Sequence, residues 1–389
     1  MRIVVLTTDN REPHKDYANP QPHFGTAPAA LLQGLAWIPE IEVHLVSCIR
    51  QPVRSPEKIA PNIFFHSLVV PKIGWMKTLF QGCVRAARKK IREIRPDIVH
   101  GQGTEADCSI SAIYSGFPNV LTLHGNMRSI ARINRDPPFS YNWVAARLEG
   151  FVLPRTDGVV CITNYTRQAV QELACRTWVL PNAVDAAFFD VQAAPDAGTP
   201  PVGLCVGTIC GYKNQNDLIR ALDPLAKENK FKLVFLGHVE QSAYGREFLQ
   251  LVRERPWCEH TGFGNREQLK ARLQAASFLA LPTREDNCPM VVLEAMAAGV
   301  PVLASKVGGV PDLIESEKTG LFCDPERPES FREGVEKMLA DREWAQQLAA
   351  AAKVEALRRF HPQVIGRKHL EIYRETLLRK KKDGAETGG

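Results

Sequence analysis

The sequence has no C-x-x-C pair, no long uninterrupted apolar run and no excess of charge in its second half. Each absence excludes something. Ten cysteines are present but scattered, beginning with Cys48, Cys83 and Cys108. Without paired spacing, neither a zinc site nor a disulfide framework is expected, and a reducing cytoplasm fits such usage. No apolar stretch reaches the ~20 residues of a membrane span. The opening run of "MRIVVLTTDN" is too short for a secretory signal and reads as a first strand. Aromatic and basic residues are not interleaved as in single-strand binders, so nucleic acid is not an expected partner.

What is present points to two soluble α/β domains. The 389 residues exceed one ordinary domain. A hydrophobic fraction of 44% with 24% charged residues is that of a globular protein. Apolar, β-branched runs ("RIVVLTTD", "IEVHLVSC", "DIVHGQG", "NVLTLHG", "GVVCITN") alternate with amphipathic stretches, the pattern of a parallel sheet wrapped by helices. The pattern stops at "DAAFFDVQAAPDAGTPP", rich in Pro, Ala and Gly, and restarts with "PVGLCVGTI", "FKLVFLG", "ASFLALPT" and "VPVLAS". The expected fold is two doubly wound, Rossmann-like domains facing a cleft, with a C-terminal helical segment. Their bounds are read as 1–182, 183–361 and, for a last helix crossing back to the first domain, 362–389. The tail "KKKDGAETGG" is expected to be disordered.

Charge is unevenly placed. Residues 1–185 hold 21 Lys and Arg against 15 Asp and Glu, whereas residues 186–389 hold 28 of each. The whole net charge of +6 therefore lies in the first half, which suits a phosphate-rich partner or a membrane surface. Two stretches carry it. "WMKTLFQGCVRAARKKIREIRP" is a basic amphipathic segment preceded by Trp75, Met76, Leu79 and Phe80. In "GNMRSIARINRD", Arg128, Arg132 and Arg135 would share one helical face.

Glu294 raises a question of its own. In "TREDNCPMVVLEAMAAGVPVLAS" it sits among Met290, Val291, Val292, Leu293, Ala295 and Met296, eight residues beyond Asp286. Burying an unpaired carboxylate costs about several kcal/mol, so it must reach solvent or be met by a polar group. Pro289 suits a first helical turn, and Asp286 or Asn287 can cap it. The N–H groups of such a terminus form an anion site, and a glutamate behind them can accept the vicinal hydroxyls of a ribose. Taken singly, these residues would equally describe a capped helix, Lys213 a surface lysine and His124 a satisfied strand-end histidine.

Taken together, they resemble the E-x7-E region of glycosyltransferase family 4, the retaining GT-B enzymes also called glycosyl transferases group 1. "EDNCPMVVLEAM" places Asp286 at the first Glu of that pattern, with Glu285 beside it and Glu294 at the second. "LPNAVDAAFF" resembles the family's hinge strand. "LCVGTICGYKNQNDLIRAL" resembles its V-G-R-x4-K-G segment, keeping Lys213 and putting Thr208 where Arg is usual. "HTGFGN", with Gly262, occupies the place of the base-binding loop, and "VGGVPDLI" that of G-G-x-x-E, with Asp312 for Glu. "HFGTAPAA" keeps Gly25 of a Gly-Gly loop, and "TLHG" keeps His124.

The resemblance implies a metal-independent hexosyltransferase with no cofactor, using a nucleotide-sugar donor (UDP- or GDP-) as substrate. It implies donor contacts from Gly25, Thr208, Lys213, Gly262, Asn287, Cys288, Pro289, Met290, Val291 and Glu294. It implies catalytic roles for His124 and for Asp286 or Glu285, the choice between the two acids staying open. Arg128 and Arg132 are the expected acceptor contacts. The acceptor is read as an anionic glycan or lipid-linked molecule, met in the cytoplasm or on the inner membrane face, in bacterial cell-surface polysaccharide or glycoconjugate synthesis. A nucleotide-sugar epimerase on the same fold, a glycoside hydrolase using Glu285 and Glu294, and a non-catalytic nucleotide-sugar binder are the competing readings.

Overall fold

The computed structural model of the chain describes residues 1–193, 200–228 and 231–386. The chain divides into two compact units, Met1–Ala183 with Pro362–Gly389, and Val184–His361.

The first unit is built on eight strands: β1 (Arg2–Leu6), β2 (Glu42–Ile49), β3 (Lys58–Ala60), β4 (Ile63–Val69), β5 (Ile98–Gln102), β6 (Asn119–Leu123), β7 (Val159–Cys161) and β8 (Thr177–Val179). Their order is β3-β4-β2-β1-β5-β6-β7-β8, and only the short edge strand β3 runs antiparallel. Every residue of β5 and β6 is buried, as expected of strands covered on both faces. The helix Gln81–Ile94 buries Cys83, Val84, Ala87 and Ile91 on one face and leaves Arg85, Arg88, Lys89 and Arg92 exposed on the other.

The C-terminal helix Pro362–Glu386 belongs to this unit and packs on the helix Thr26–Ala36. Contact is backbone to backbone: a Cβ on Gly34 would lie 2.0 Å from the carbonyl oxygen of Pro362. The expected disorder of the tail is corrected here. The helix runs on through Glu386, and Lys380 Nζ stands 2.7 Å from Asp157 on the first unit's surface. Residues 387–389 lie outside the described residues, as does 194–199 of the expected linker.

Among its described residues the second unit has six strands, all parallel: β9 (Val202–Val206), β10 (Lys232–Leu236), β11 (Cys258–His260), β12 (Phe278–Leu281), β13 (Val302–Ser305) and β14 (Leu321–Cys323). The order β11-β10-β9-β12-β13-β14 has its reversal between β9 and β12. In open α/β sheets, ligands bind beyond the carboxyl ends of the strands at such a reversal. The loops after β9 and β12 carry Lys213 and Asp286.

Candidate functional site

The loops after β9 and β12 are stitched together. Thr283, fully buried, directs its hydroxyl to the carbonyl oxygens of Tyr212 (3.2 Å) and Glu285 (2.7 Å), while Arg284 N donates to Tyr212 O at 2.7 Å. Lys213 and Asp286 are thereby set side by side, and their ammonium and carboxylate form an ion pair with side chains only 17% and 15% exposed. From the far side, Gly309 N donates to Asp286 O at 2.9 Å. Gly308, at φ +53°, passes so close that a Cβ would lie 2.1 Å from the same oxygen, which explains the first glycine of the G-G pattern.

The cap position falls to neither Asp286 nor Asn287, contrary to expectation. The helix is Met290–Ala298; Pro289 is its N-cap residue rather than part of its first turn, and no side chain caps it. Asp286 is too far upstream, and Lys213 engages its carboxylate. Proline at the cap position brings no acceptor, so the polar end of this helix is left for another partner. Cys288 and Val291 are buried beneath it, and Asn287 and Met290 are half-buried at its rim.

Glu294 is 3% exposed, and a polar group does come to meet it. Arg266, first residue of the helix Arg266–Ala275, brings Nη1 to 3.6 Å from Glu294 Oε1 and Nε to 3.2 Å from Asp185 Oδ2. Its guanidinium also lies 5.0 Å over the Phe188 ring. Burial pushes the Glu294 carboxyl up to about 7; Arg266 opposes the shift and Asp185 adds to it. Sequence reasoning named neither Arg266 nor Asp185. The one local signal was "GNREQ", where Asn265 and Gln268 form the capping box that fixes Arg266 at a helix start.

The other expected donor contacts sit on neighbouring loops. Thr208 is exposed just after β9, its carbonyl accepting from Gln215 Nε2 at 2.9 Å. Gly262, between β11 and Arg266, has φ +75°, and its carbonyl accepts from Gly237 N at 2.8 Å.

In the first unit, His124 follows β6 and places Nε2 2.9 Å from Gln102 Oε1. Burial lowers its pKa to about 4, with His369 adding to the shift and a bond to Asn182 opposing it. The imidazole is therefore neutral at physiological pH. Gly25 is the N-cap of Thr26–Ala36 at φ −56°, and a Cβ there would meet nothing nearer than Pro28 at 3.6 Å. Neither backbone nor packing within the unit requires glycine at this position.

Arg128 and Arg132 lie one turn apart on the helix Met127–Ile133, both exposed. Arg135 is not on that face: it lies beyond the helix at φ +51°. The helix start is held by a residue that sequence reasoning missed. Buried Glu149 accepts from the backbone of Met127 (3.0 Å) and Arg128 (3.2 Å) and from Thr104 Oγ1 (2.8 Å). A second basic surface, an open groove of about 760 Å³, is lined by six cations, Arg2, Arg85, Arg88, Lys89, Arg92 and Arg95, together with Glu93 and Ile94. The apolar residues before it do not form one exposed face: Phe80 is buried, Trp75 is half-buried and bonds Val70 O, and Leu79 is 56% exposed.

The cysteines are closer in space than in sequence. Cys48, Cys83 and Asp107 lie buried with their ligand atoms within 4.8 Å of one another, the one such group among the described residues. A hydrogen bond to Cys83 and burial hold the Cys48 thiol well above its ordinary pKa. Among the described residues, no helix is long and apolar enough to cross a membrane.

Two units of parallel sheet, one with charged and glycine-rich loops at its strand-order reversal, have the architecture of GT-B glycosyltransferases. Residues 30–188 match the family described as Glycosyltransferase Family 4, and residues 189–355 that described as Glycosyl transferases group 1. The chain belongs to glycosyltransferase family 4.

Among curated relatives, it is 29% identical over 171 residues to an uncharacterized glycosyltransferase, MJ1607, of Methanocaldococcus jannaschii (44% of each chain). It is also 29% identical over 220 residues to a GDP-mannose-dependent alpha-(1-6)-phosphatidylinositol monomannoside mannosyltransferase of Mycobacterium tuberculosis, covering 51% of this chain and 56% of that one. The chain thus spans about half the length of these two relatives. Among solved structures, sucrose-phosphate synthase from Thermosynechococcus elongatus superposes with a TM-score of 0.76 at 19% identity, over 97% of this chain and all of that one. Anabaena HepE in complex with UDP-glucose does so with a TM-score of 0.69 at 17% identity, over 96% and 100%.

Proposed function

We propose that the protein is a retaining glycosyltransferase that moves a hexose from a UDP- or GDP-sugar to an anionic glycan or lipid-linked acceptor. The observation that carries this reading is the Lys213–Asp286 ion pair, held beside an uncapped helix start with the buried carboxylate of Glu294 in the turns behind. A nucleoside diphosphate needs each part. Its phosphates take Lys213 away from Asp286 and use the free N–H groups of the Met290–Ala298 helix. Its ribose hydroxyls donate to ionised Glu294, and its base rests on the backbone around Gly262. Thr208, Gly25, Asn287, Cys288, Pro289, Met290 and Val291 complete the contacts. One similar protein is GDP-mannose-dependent and another was solved in complex with UDP-glucose, which supports either base.

In this reading the bond from the anomeric carbon to the diphosphate oxygen breaks while the acceptor oxygen bonds to the same face of the sugar. The departing diphosphate takes the acceptor's proton. Lys213 and the helix amides hold the charge that develops, with no metal required. Neutral His124 meets the transferred sugar, and Asp286 or Glu285 holds its hydroxyls. Arg128 and Arg132 hold the acceptor's negative charge. The basic groove along Gln81–Ile94 rests on anionic lipid at the inner membrane face, where bacterial surface polysaccharides or glycoconjugates are assembled.

A thermal-shift panel of UDP, GDP, ADP and dTDP with their sugars tests the donor half directly. One base with its sugar should raise the melting temperature and be hydrolysed slowly without acceptor. No shift and no turnover with any of them would refute the reading.

A further inference from the structure

A chain of side chains runs from the C-terminal helix to His124 through the interior of the first unit. Tyr373 Oη lies 2.6 Å from His100 Nδ1. His100 Nε2 lies 2.7 Å from Thr122 Oγ1 and 3.0 Å from Gln102 Nε2. Gln102 Oε1 then lies 2.9 Å from His124 Nε2. His100, Thr122, Gln102 and Tyr373 are all at most 6% exposed, so their polar atoms find partners among one another.

An amide has one donating and one accepting end, and this sets the protons of both rings. Gln102 Nε2 stands nearer to His100 Nε2 than to its Nδ1 (3.0 against 3.3 Å), so Nε2 is the nitrogen that accepts from the amide, and the ring proton sits on Nδ1, given to Tyr373. The other end of the amide accepts, so His124 carries its proton on Nε2. Reversing one ring alone would set donor against donor or acceptor against acceptor. Turning the amide over reverses both rings together. The two imidazoles have one shared tautomeric state, and burial keeps both uncharged.

We propose that Gln102, His100 and Tyr373 are positioning residues for His124, fixing its ring and its proton from an anchor on the C-terminal helix. This rests on the reading that His124 meets the transferred sugar. Tyr373 stands 273 residues from His100, so a helix at the far end of the chain sets the hydrogen-bonding face of a residue on β6's loop.

The test is the histidine side-chain nitrogen spectrum of the full-length protein labelled with 15N-histidine, His124 being assigned by its loss in His124→Gln. Unaltered protein should show His124 as the Nε2–H tautomer. Tyr373→Phe keeps the volume but leaves the His100 Nδ1 proton without an acceptor. The proton should move to Nε2, the amide should turn, and His124 should become Nδ1–H. Gln102→Leu should leave the ring to its remaining bond with Asn182 and lower the Nε2–H fraction of His124. In both variants kcat should fall about tenfold or more while donor KM changes less than about twofold, as expected of a misaligned group. An Nδ1–H His124 in the unaltered protein, or an Nε2–H His124 unmoved by both substitutions, would overturn the relay. A tautomer shift with an unchanged transfer rate would leave the relay standing and remove His124 from the reacting centre.

Discussion

Arg266 Nη1 reaches to 3.6 Å from Glu294 Oε1, and the same guanidinium stands 3.2 Å from Asp185. One cation faces two carboxylates and divides its charge between them. Glu294, the more deeply buried, keeps its proton up to about pH 7.

The first prediction concerns stability. Glu294 titrates near 4.5 in the unfolded chain and about 7 in the fold, so the native state holds the proton more tightly. The stabilisation is complete below about pH 4.5, declines as pH rises and is gone above about 7. At roughly 1.4 kcal/mol per pKa unit, the change is on the order of 3 kcal/mol. Calorimetric melts of the unaltered protein should drop between pH 5 and 8, and those of Glu294→Gln should drop less. Identical slopes would place the titration elsewhere.

The same proton governs ligand binding. A ribose needs the ionised carboxylate, so nucleotide affinity should rise from pH 6 to 8 with release of a proton, visible as buffer-dependent heats of binding. Glu294→Gln offers one accepting end instead of two oxygens. It should weaken binding by about 1.5–3 kcal/mol and flatten the pH dependence. Unchanged affinity would remove ribose from Glu294.

Lys213→Ala should lower turnover by about two to three orders of magnitude, the scale of losing one donor to a developing oxyanion. EDTA should leave the unaltered enzyme active. Strict dependence on a divalent ion would show that Lys213 and the helix amides do not suffice for the leaving group.

Thr283→Val removes one hydroxyl that serves two carbonyls, Tyr212 O and Glu285 O. Tyr212 O keeps its bond from Arg284 N, so the loss of the hydroxyl should cost about 0.5–1.5 kcal/mol in denaturant titration, the scale of one net hydrogen bond. Donor affinity should fall with it, because Lys213 and Asp286 are placed by the two joined loops. A stability loss with unchanged donor binding would confine Thr283 to a structural part.

Arg128→Ala/Arg132→Ala should raise acceptor KM several-fold with slow donor hydrolysis intact, and added salt should imitate it by screening exposed charges. Equal efficiency on a neutral acceptor, unaffected by salt or substitution, would refute an anionic one.

The sheets were legible because buried parallel strands write themselves as apolar runs, and β1, β2, β5, β6, β7, β9, β10, β12 and β13 all do. Five strands escaped: β3, β8, β11 and β14 are three residues each, too short to write a run, and the longer β4, "IFFHSLV", was not singled out. Around the candidate site, Asp286, Glu294 and Lys213 stood out by residue type and spacing. Their partners did not. Lys213 meets Asp286 because β9 and β12 are neighbours in the sheet, a relation between residues 73 apart that no local pattern contains. Arg266 and Glu149 look like ordinary surface charges of amphipathic helices until the fold turns them inward. The helix cap failed for a similar reason: an acid near a helix start was assigned to that helix, whereas a lysine from another loop claims it.

The return of the C-terminal helix makes the first unit discontinuous in synthesis. Tyr373 and Ile365 complete its core, yet they leave the ribosome only after the whole of Val184–His361. At typical elongation rates that delay is about 10–40 s. During it, the face of Thr26–Ala36 that receives the last helix stays uncovered, with Leu31 and Leu35 among its apolar side chains. The second unit, contiguous in the chain, has no such wait and can finish first. A stop codon near position 360 would therefore damage the beginning of the protein rather than its end.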